Sequence, residues 1–197
     1  MNMNLRPYDR ASRGRKAEET AERVLREAIR LFATEPFDRV TLGAVAAAAE
    51  VTIPTLQRRF GNKEGLFAAC ASLVAKRVER QRGTPPLGNM KECIDQHVAH
   101  YELEGAMMWH LLRQEVDVPL LRAPLAAGRA VHRAWVETVF ADAIARVSAR
   151  NRRARIDALV AVTDLLVWKL LRVDLGRSAA EVAALMRTMA DAVAGHP

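Results

Sequence analysis

Apolar side chains recur at intervals of three and four residues along most of the chain, the spacing that places them on one face of an α-helix. Runs of β-branched residues are short, so the pattern gives little support to strands. It therefore predicts an all-α protein without a β-sheet. In the second part of the chain the pattern predicts helices at residues 90–103, 105–116, 124–149, 154–173 and 178–194, with breaks at Pro119, Pro124, Asn151 and Gly176.

Two short helices joined by a tight turn are predicted between residues 41 and 60. Thr41 can cap the first helix, and Thr52 can cap the second, which has Pro54 in its first turn, where a missing N–H is harmless. This arrangement is a helix-turn-helix, whose second helix can enter the major groove of DNA. The DNA contacts expected from the motif are Thr41, Thr52, Ile53, Pro54, Thr55, Gln57, Arg58 and Arg59.

A further helix start follows directly, with Asn62 as its cap and Lys63 in its first turn. The free N–H groups and the positive end of the helix dipole at such a start can hold a phosphate. Because the Lys63 ammonium adds a cation at the same place, Lys63 joins the expected DNA contacts as a phosphate contact.

Residues 1–16 carry five basic side chains and one acidic side chain, and they show no apolar period. They are predicted to form a basic arm before the first helix. Arg13 and Arg15 are its expected DNA contacts, since such arms can reach phosphates or a flanking minor groove. The alternative is a solvated tail. The formal net charge of +7 for the whole chain suits a polyanionic partner.

The motif and its flanks combine the turn of residues 46–52, the triplet Thr55-Leu56-Gln57 and the run Phe60-Gly61-Asn62-Lys63-Glu64-Gly65-Leu66. Over residues 17–70 this combination resembles the tetracycline-repressor (TetR) family of bacterial regulators. The resemblance implies a three-helix DNA-binding domain at 17–70 and a helical effector-binding and dimerisation domain at 71–197. It also implies a homodimer, a palindromic operator in double-stranded DNA and release from that operator by a small apolar effector.

Three residues depart from the family pattern. Glu50 stands where the family has glycine in the turn, and a positive φ there would make this side chain unfavourable by roughly 1 kcal/mol. Pro36 replaces a usual glycine before Phe37. Gln57 replaces a recognition-helix tyrosine, and its amide can pair bidentately with adenine. The operator sequence therefore cannot be transferred from the family.

Two apolar stripes lie on the last two predicted helices, one over residues 156–173 and one over residues 182–193. The resemblance implies that these helices pair with their copies across a two-fold axis. The residues placed at this dimer interface are Leu159, Thr163, Leu166, Leu170, Leu185 and Met189. The stripes by themselves are equally compatible with an intramolecular core.

Methionine, histidine and aromatic side chains gather in the predicted helices at 90–103 and 105–116. Such side chains together are typical of a small-molecule site, although each one taken singly is more often part of a core. The expected ligand-binding residues are His97, Tyr101, Met107, Met108, Trp109, Leu112 and Trp135. Cys93, His97 and Tyr101 share one helix face, but no further ligands lie at a suitable spacing, so no metal site is predicted.

Motifs of common enzyme classes are absent from the sequence, including the nucleophile elbow, the phosphate-binding loop and the dinucleotide-binding fingerprint. No catalytic residue and no cofactor are therefore predicted. The sequence has two cysteines, no signal peptide and no long apolar run, which leads us to expect a cytoplasmic protein without a membrane partner.

The main hypothesis is a ligand-responsive transcriptional regulator, in the first place a repressor. The alternative is a small-molecule or metal-binding helical protein that no longer binds DNA specifically, which the substitutions at residues 50 and 57 leave open.

Overall fold

The computed structural model describes residues 7–195, apart from the side chains of residues 7–13 and 82. All regular structure in that range is helical, which confirms the all-α prediction. The chain divides into two compact units, Met1–Ala75 and Lys76–Pro197. The boundary between them falls inside a helix and lies after residue 75, whereas the sequence led us to expect it after residue 70.

The helices of the N-terminal unit are short except for the first and the last. They are α1 (Pro7–Thr34), a 3-10 turn (Phe37–Arg39), α2 (Leu42–Ala48), α3 (Ile53–Phe60) and α4 (Lys63–Arg82), which continues into the second unit. Pro36 stands directly before the 3-10 turn with φ −53°, close to the value that its ring imposes. The proline in place of the family's glycine is therefore compatible with this turn.

Three phenylalanine rings form the centre of the N-terminal unit. The Phe32 ring centroid lies 5.3 Å from that of Phe37 and 5.1 Å from that of Phe67, and Phe37 and Phe67 meet edge to face at 5.3 Å. Aromatic pairs in such geometries contribute about 0.5–1.5 kcal/mol each beyond the area they bury. This cluster joins α1, the 3-10 turn and α4, so it fixes the frame that holds α2 and α3.

The predicted arm at residues 1–16 differs from the structure. Residues 1–6 lie outside the described residues, but α1 begins at Pro7 and includes residues 7–16. A proline suits the first turn of a helix because its missing N–H would have no partner there. The apolar period used to find the start of the helix appears only later: among the described side chains of α1, Ala21 and Val24 are the first that are buried.

The C-terminal unit is a bundle of longer and shorter helices. They are α5 (Met90–Leu112), a 3-10 turn (Pro119–Leu121), α6 (Arg122–Val139), α7 (Ala141–Ala145), α8 (Ala149–Val162), α9 (Leu165–Lys169), a π-helical turn (Leu170–Asp174) and α10 (Ala179–Ala194).

The predicted break between residues 103 and 105 is wrong, because α5 runs through both. Two tertiary contacts lie at this point. The buried Glu104 carboxylate accepts a hydrogen bond from Arg77 at 2.7 Å, and Gly105 packs against the ring of Trp168. Gly105 is thus a site of close approach between helices and not a helix end.

The predicted helix at 124–149 is also divided in the structure. It starts earlier, at Arg122, and α6 ends at Val139, because Phe140 leaves the helical region with φ −105° and ψ 20° while its side chain is buried. The predicted break at Asn151 is wrong, since α8 begins at Ala149 and contains this residue.

The predicted helix at 154–173 is interrupted at Thr163 and Asp164. The Thr163 carbonyl accepts hydrogen bonds from the Tyr101 hydroxyl at 3.2 Å and from His97 Nε2 at 3.0 Å. The Asp164 side chain accepts from the Leu166 N–H at 2.9 Å and so caps α9. Side chains from α5 thus take the place of the helical partner of this carbonyl, and the chain restarts as a second helix.

The prediction of a Ser178-capped helix at 178–194 is confirmed by α10 (Ala179–Ala194). Ser178 and Glu181 form a capping box, in which each side chain accepts from the backbone N–H of the other. This capping lowers the pKa of Glu181, mainly through the Ser178 backbone N–H. The Gly195 backbone ends the helix in the left-handed conformation.

None of the helices in the described part of the chain is long and apolar enough to cross a membrane. The two cysteines, Cys70 and Cys93, are buried and free. Burial raises the pKa of the Cys70 thiol to about 12, so this thiol stays protonated at neutral pH.

Candidate nucleic-acid interface and effector region

The two short helices of the predicted motif form as expected. The Thr41 hydroxyl accepts from the Ala44 N–H at 3.1 Å and caps α2, and the Thr52 hydroxyl accepts from the Thr55 N–H at 3.4 Å and caps α3. Pro54 occupies the first turn of α3. The buried faces of these helices are Val45, Ala46 and Leu56. The helix-turn-helix prediction is therefore confirmed at the level of caps, turn and buried faces.

Glu50 in the turn of this motif has φ 52°, and it is the one residue other than glycine with a positive φ in the described backbone. The positive φ that makes a side chain unfavourable at this position is therefore present. The turn is supported from α1, where Arg23 Nε donates to the Ala49 carbonyl at 2.8 Å. Sequence reasoning missed Arg23, because a side chain 26 residues away from its partner carries no local signal.

Replacing Glu50 with glycine should raise the free energy of unfolding of the N-terminal unit by roughly 0.5–1 kcal/mol, because glycine adopts positive φ without steric strain. Urea denaturation followed by circular dichroism would measure the difference. A Glu50→Ala variant serves as the control: it removes the charge but keeps the Cβ atom, and it should gain little. Equal gains in both variants would assign the effect to charge and contradict the backbone argument.

Six of the seven predicted contacts on α3 and its cap are solvent-exposed: Thr52, Ile53, Pro54, Gln57, Arg58 and Arg59. Thr55 is half-buried and shares a hydrogen bond of 2.9 Å with the Thr52 hydroxyl. A helix that presents an amide, a guanidinium and a small apolar side chain on one exposed face has the chemical groups needed to read base edges and phosphates.

Arg59 is directed toward α1, although it was expected to face outward freely. Its guanidinium donates to the Ala17 carbonyl at 3.3 Å and lies 3.9 Å from the Glu18 carboxylate. The side chain remains partly exposed. It therefore joins α3 to α1, and its role as a DNA contact stays a prediction.

Lys63 opens α4 beside this exposed face. The Asn62 side chain accepts from the Gly65 N–H at 2.9 Å, as expected for a cap. A Cβ atom at Gly65 would lie only 2.1 Å from the Phe60 carbonyl oxygen, so the tight junction between α3 and α4 requires glycine. The Lys63 ammonium lies 4.4 Å from the centroid of the Phe37 ring, within the range of a cation–π contact. The contact ties this cation to the N-terminal core.

The predicted contacts that precede this motif are placed on α1. Arg15 is exposed there, and the side chain of Arg13 lies outside the described residues. Their part in DNA binding remains a prediction.

The structure brings the polar members of the predicted ligand site together as a packed core. His97 stacks on Trp135 with ring centroids 4.1 Å apart, and both side chains are buried together with Tyr101. His132 Nε2 lies 2.9 Å from the Thr163 hydroxyl, which itself donates to the Leu159 carbonyl. His132 must therefore be the donor to Thr163. These rings hold the break between α8 and α9.

The other members of the predicted site lie further along α5. Met107, Met108, Trp109 and Leu112 are half-buried, and all except Met107 pack against the core of the C-terminal unit. Their assignment as ligand contacts remains untested. A surface groove lies elsewhere, between α5 and α10.

Two of the predicted dimer-interface residues are wrongly assigned. Leu159 and Thr163 are fully buried within the unit, where Thr163 carries the hydrogen bonds of the helix break. The error arises because a three-and-four spacing stays on one face only in an unbroken helix. The other predicted members lie nearer the surface: Leu166, Leu170 and Leu185 are exposed, and Met189 is half-buried. Val173 and Leu175 are also exposed and were not among the predicted interface residues.

Within the described residues, no group of three or more His, Cys, Asp or Glu side chains could hold a metal ion. Cys93, His97 and Tyr101, which share one face of α5, are buried in the C-terminal unit.

Comparison with known proteins adds two findings. The family model described as "Bacterial regulatory proteins, tetR family" matches residues 24–70. The fold is similar to that of a TetR-like transcriptional regulator from Rhodococcus sp. RHA1, with a TM-score of 0.67, 21% identity and coverage of 89% of this chain and 96% of the other. A second transcriptional regulator from the same strain gives a TM-score of 0.68, 13% identity and coverage of 88% and 95%. No curated protein sequence matches the chain significantly.

Proposed function

We propose that the chain, whose residues 24–70 match the TetR family model, is a dimeric repressor of that family that leaves a palindromic operator when a small effector binds. The observation that carries the proposal is the capped two-helix motif with Gln57 and Arg58 exposed on its second helix. The proposal assigns α3 to the major groove and the start of α4 to the phosphate backbone.

The geometry of a palindromic operator is the reason for proposing a dimer. A palindromic site presents two half-sites about 34–36 Å apart, and a two-fold dimer carries two copies of α3 that match them. Exposed leucines on α9, the π-helical turn and α10 support a surface for the second copy. An effector that binds better to a conformation with the wrong spacing of these helices shifts the population away from DNA.

Gln57→Ala should relax the preference at one or two base pairs of the operator, because a glutamine amide pairs bidentately with adenine. We expect a loss of about 1–3 kcal/mol on the preferred site and a much smaller loss on random DNA. Fluorescence anisotropy with both DNAs at one salt concentration would measure the two affinities. An equal loss on both DNAs would indicate a phosphate contact, and no loss on either would contradict the assignment of α3.

Lys63→Ala should weaken binding to all DNA sequences about equally, because a phosphate contact carries no sequence information. The slope of log affinity against log salt concentration should become shallower by about 0.9. The control is Lys76→Ala, which removes a lysine from the same helix well beyond its first turn. A change in base preference with an unchanged slope would contradict the role of Lys63.

Electrophoretic retardation of the DNA upstream of the protein's own gene tests the function as a whole. We expect a saturable shift that unlabelled specific DNA reverses and random DNA does not. Sequencing of DNA selected by the purified protein would then define the operator. Binding to random and upstream DNA with equal affinity would favour the alternative, a ligand-binding helical protein that no longer reads DNA.

A further inference from the structure

A groove runs along the C-terminal unit between α5 and α10, with a volume of about 630 Å³. Its apolar lining is formed mostly by small side chains: Val98, Ala99, Leu103, Ala179, Ala180 and Ala183. Alanines leave open space that longer side chains would fill. The volume lies in the usual range of small-molecule sites, about 300–1,000 Å³.

One end of the groove carries two cations around one carboxylate. Lys91 Nζ lies 2.6 Å from one oxygen of Asp95, and Arg187 Nη1 lies 3.9 Å from the other, which is too long for a hydrogen bond. All three side chains line the groove, so this end has an excess of positive charge. Asp95 holds the cations in place but also weakens their attraction for an anion.

The opposite end has no excess of positive charge, because its lining carboxylate is paired with one cation. Glu102 accepts from Trp168 Nε1 at 2.7 Å and from Arg172 Nε at 3.0 Å, so its carboxylate is fixed in position. Leu103 beside it is 68% exposed and extends the apolar lining. The α10 side of the groove, from Ala179 to Arg187, spans about 12 Å at the rise of an α-helix.

We propose that this groove binds a medium-chain aliphatic carboxylate. The carboxylate pairs with Arg187 and Lys91, and the alkyl chain lies over the alanines toward Leu103. The distribution of charge fixes this orientation, because an anion is attracted to the end with the excess of positive charge and gains nothing at the opposite end, where Arg172 neutralises Glu102. The binding site itself does not depend on DNA binding. Its use as the effector site rests on the proposed function.

Calorimetric titration of the full chain with decanoate, without DNA, tests the site. We expect one decanoate per chain and roughly tenfold weaker binding of decanol, which lacks the charge. Arg187→Gln should weaken decanoate binding by a similar factor. Asp95→Asn should strengthen it several-fold, since it removes the anion that competes with the ligand for both cations.

Two further variants test the apolar part of the groove. Ala99 and Ala180 are exposed on opposite walls, so Ala99→Trp and Ala180→Phe fill the groove without entering the core, and each should abolish binding. The matched controls are Ala127→Trp on the exposed face of α6 and Arg153→Gln on α8, and both should bind decanoate normally. Circular dichroism establishes which filled variants are folded, and either folded variant is sufficient for the test.

Three results would overturn the proposal. One is the absence of saturable decanoate binding, and another is an affinity unchanged in Arg187→Gln and Asp95→Asn. The third is a change of molar mass in a filled variant, measured by light scattering, because it would mean that a second copy of the chain covers the groove. Since the titration contains no DNA, a negative result in the operator assay leaves its interpretation unaffected.

Discussion

Replacing both Leu166 and Leu170 with glutamate should give a folded monomer that has lost its operator-specific affinity. These side chains are 52% and 49% exposed in the single chain, so the isolated unit tolerates charge at both positions. At an interface between two copies the carboxylates would be desolvated without partners. A monomer also loses the benefit of linked half-sites, and we expect affinity for the palindrome to fall by about 100-fold or more.

Light scattering, circular dichroism and anisotropy with the palindromic DNA would be recorded on the same sample. The matched control is the pair Val116→Glu and Val131→Glu, two apolar residues with exposures of 82% and 50% outside the proposed interface. The control should remain dimeric and bind the operator. A folded Leu166/Leu170 variant that is still a dimer would place the interface elsewhere.

Gly105→Ala should destabilise the C-terminal unit by about 1–3 kcal/mol, the usual effect of overpacking a core. A Cβ atom at this position would lie 2.6 Å from the Trp168 ring. The ring cannot easily move aside, because its Nε1 donates to the Glu102 carboxylate at 2.7 Å and the side chain is buried.

Gly128 offers a control of opposite sign within the same unit. It lies inside α6 with nothing within 4 Å of an added Cβ atom, so Gly128→Ala should stabilise by about 0.5–1 kcal/mol through helix propensity. Thermal and urea denaturation of both variants would measure the two differences. A stabilised Gly105→Ala variant would contradict the close packing of α5 on Trp168.

Much of the N-terminal unit follows from local sequence. Thr41 and Thr52 cap their helices through backbone groups only three residues ahead, and Pro54 meets a local requirement of the first helical turn. Such interactions need no tertiary information, which is why the helix-turn-helix could be derived before the structure. The strain at Glu50 likewise depends on one backbone angle, φ, which is 52° in the structure.

Long-range contacts determine the features that were predicted wrongly from the sequence. The hydrogen bonds that interrupt the helix at Thr163 come from His97 and Tyr101, more than 60 residues earlier. The same residues have the composition of a ligand pocket, yet their rings fill the core. Leu159 and Leu166 share one apolar period, but the break places the first inside and the second on the surface.

The sequence by itself determined the helical class, the capped helix-turn-helix motif and the last helix, because periodicity and capping act within a few residues. Only the tertiary structure decided where the helices break, which apolar residues remain exposed and where an open groove lies. These depend on which side chains from distant segments fill the same space, and a one-dimensional pattern does not record that.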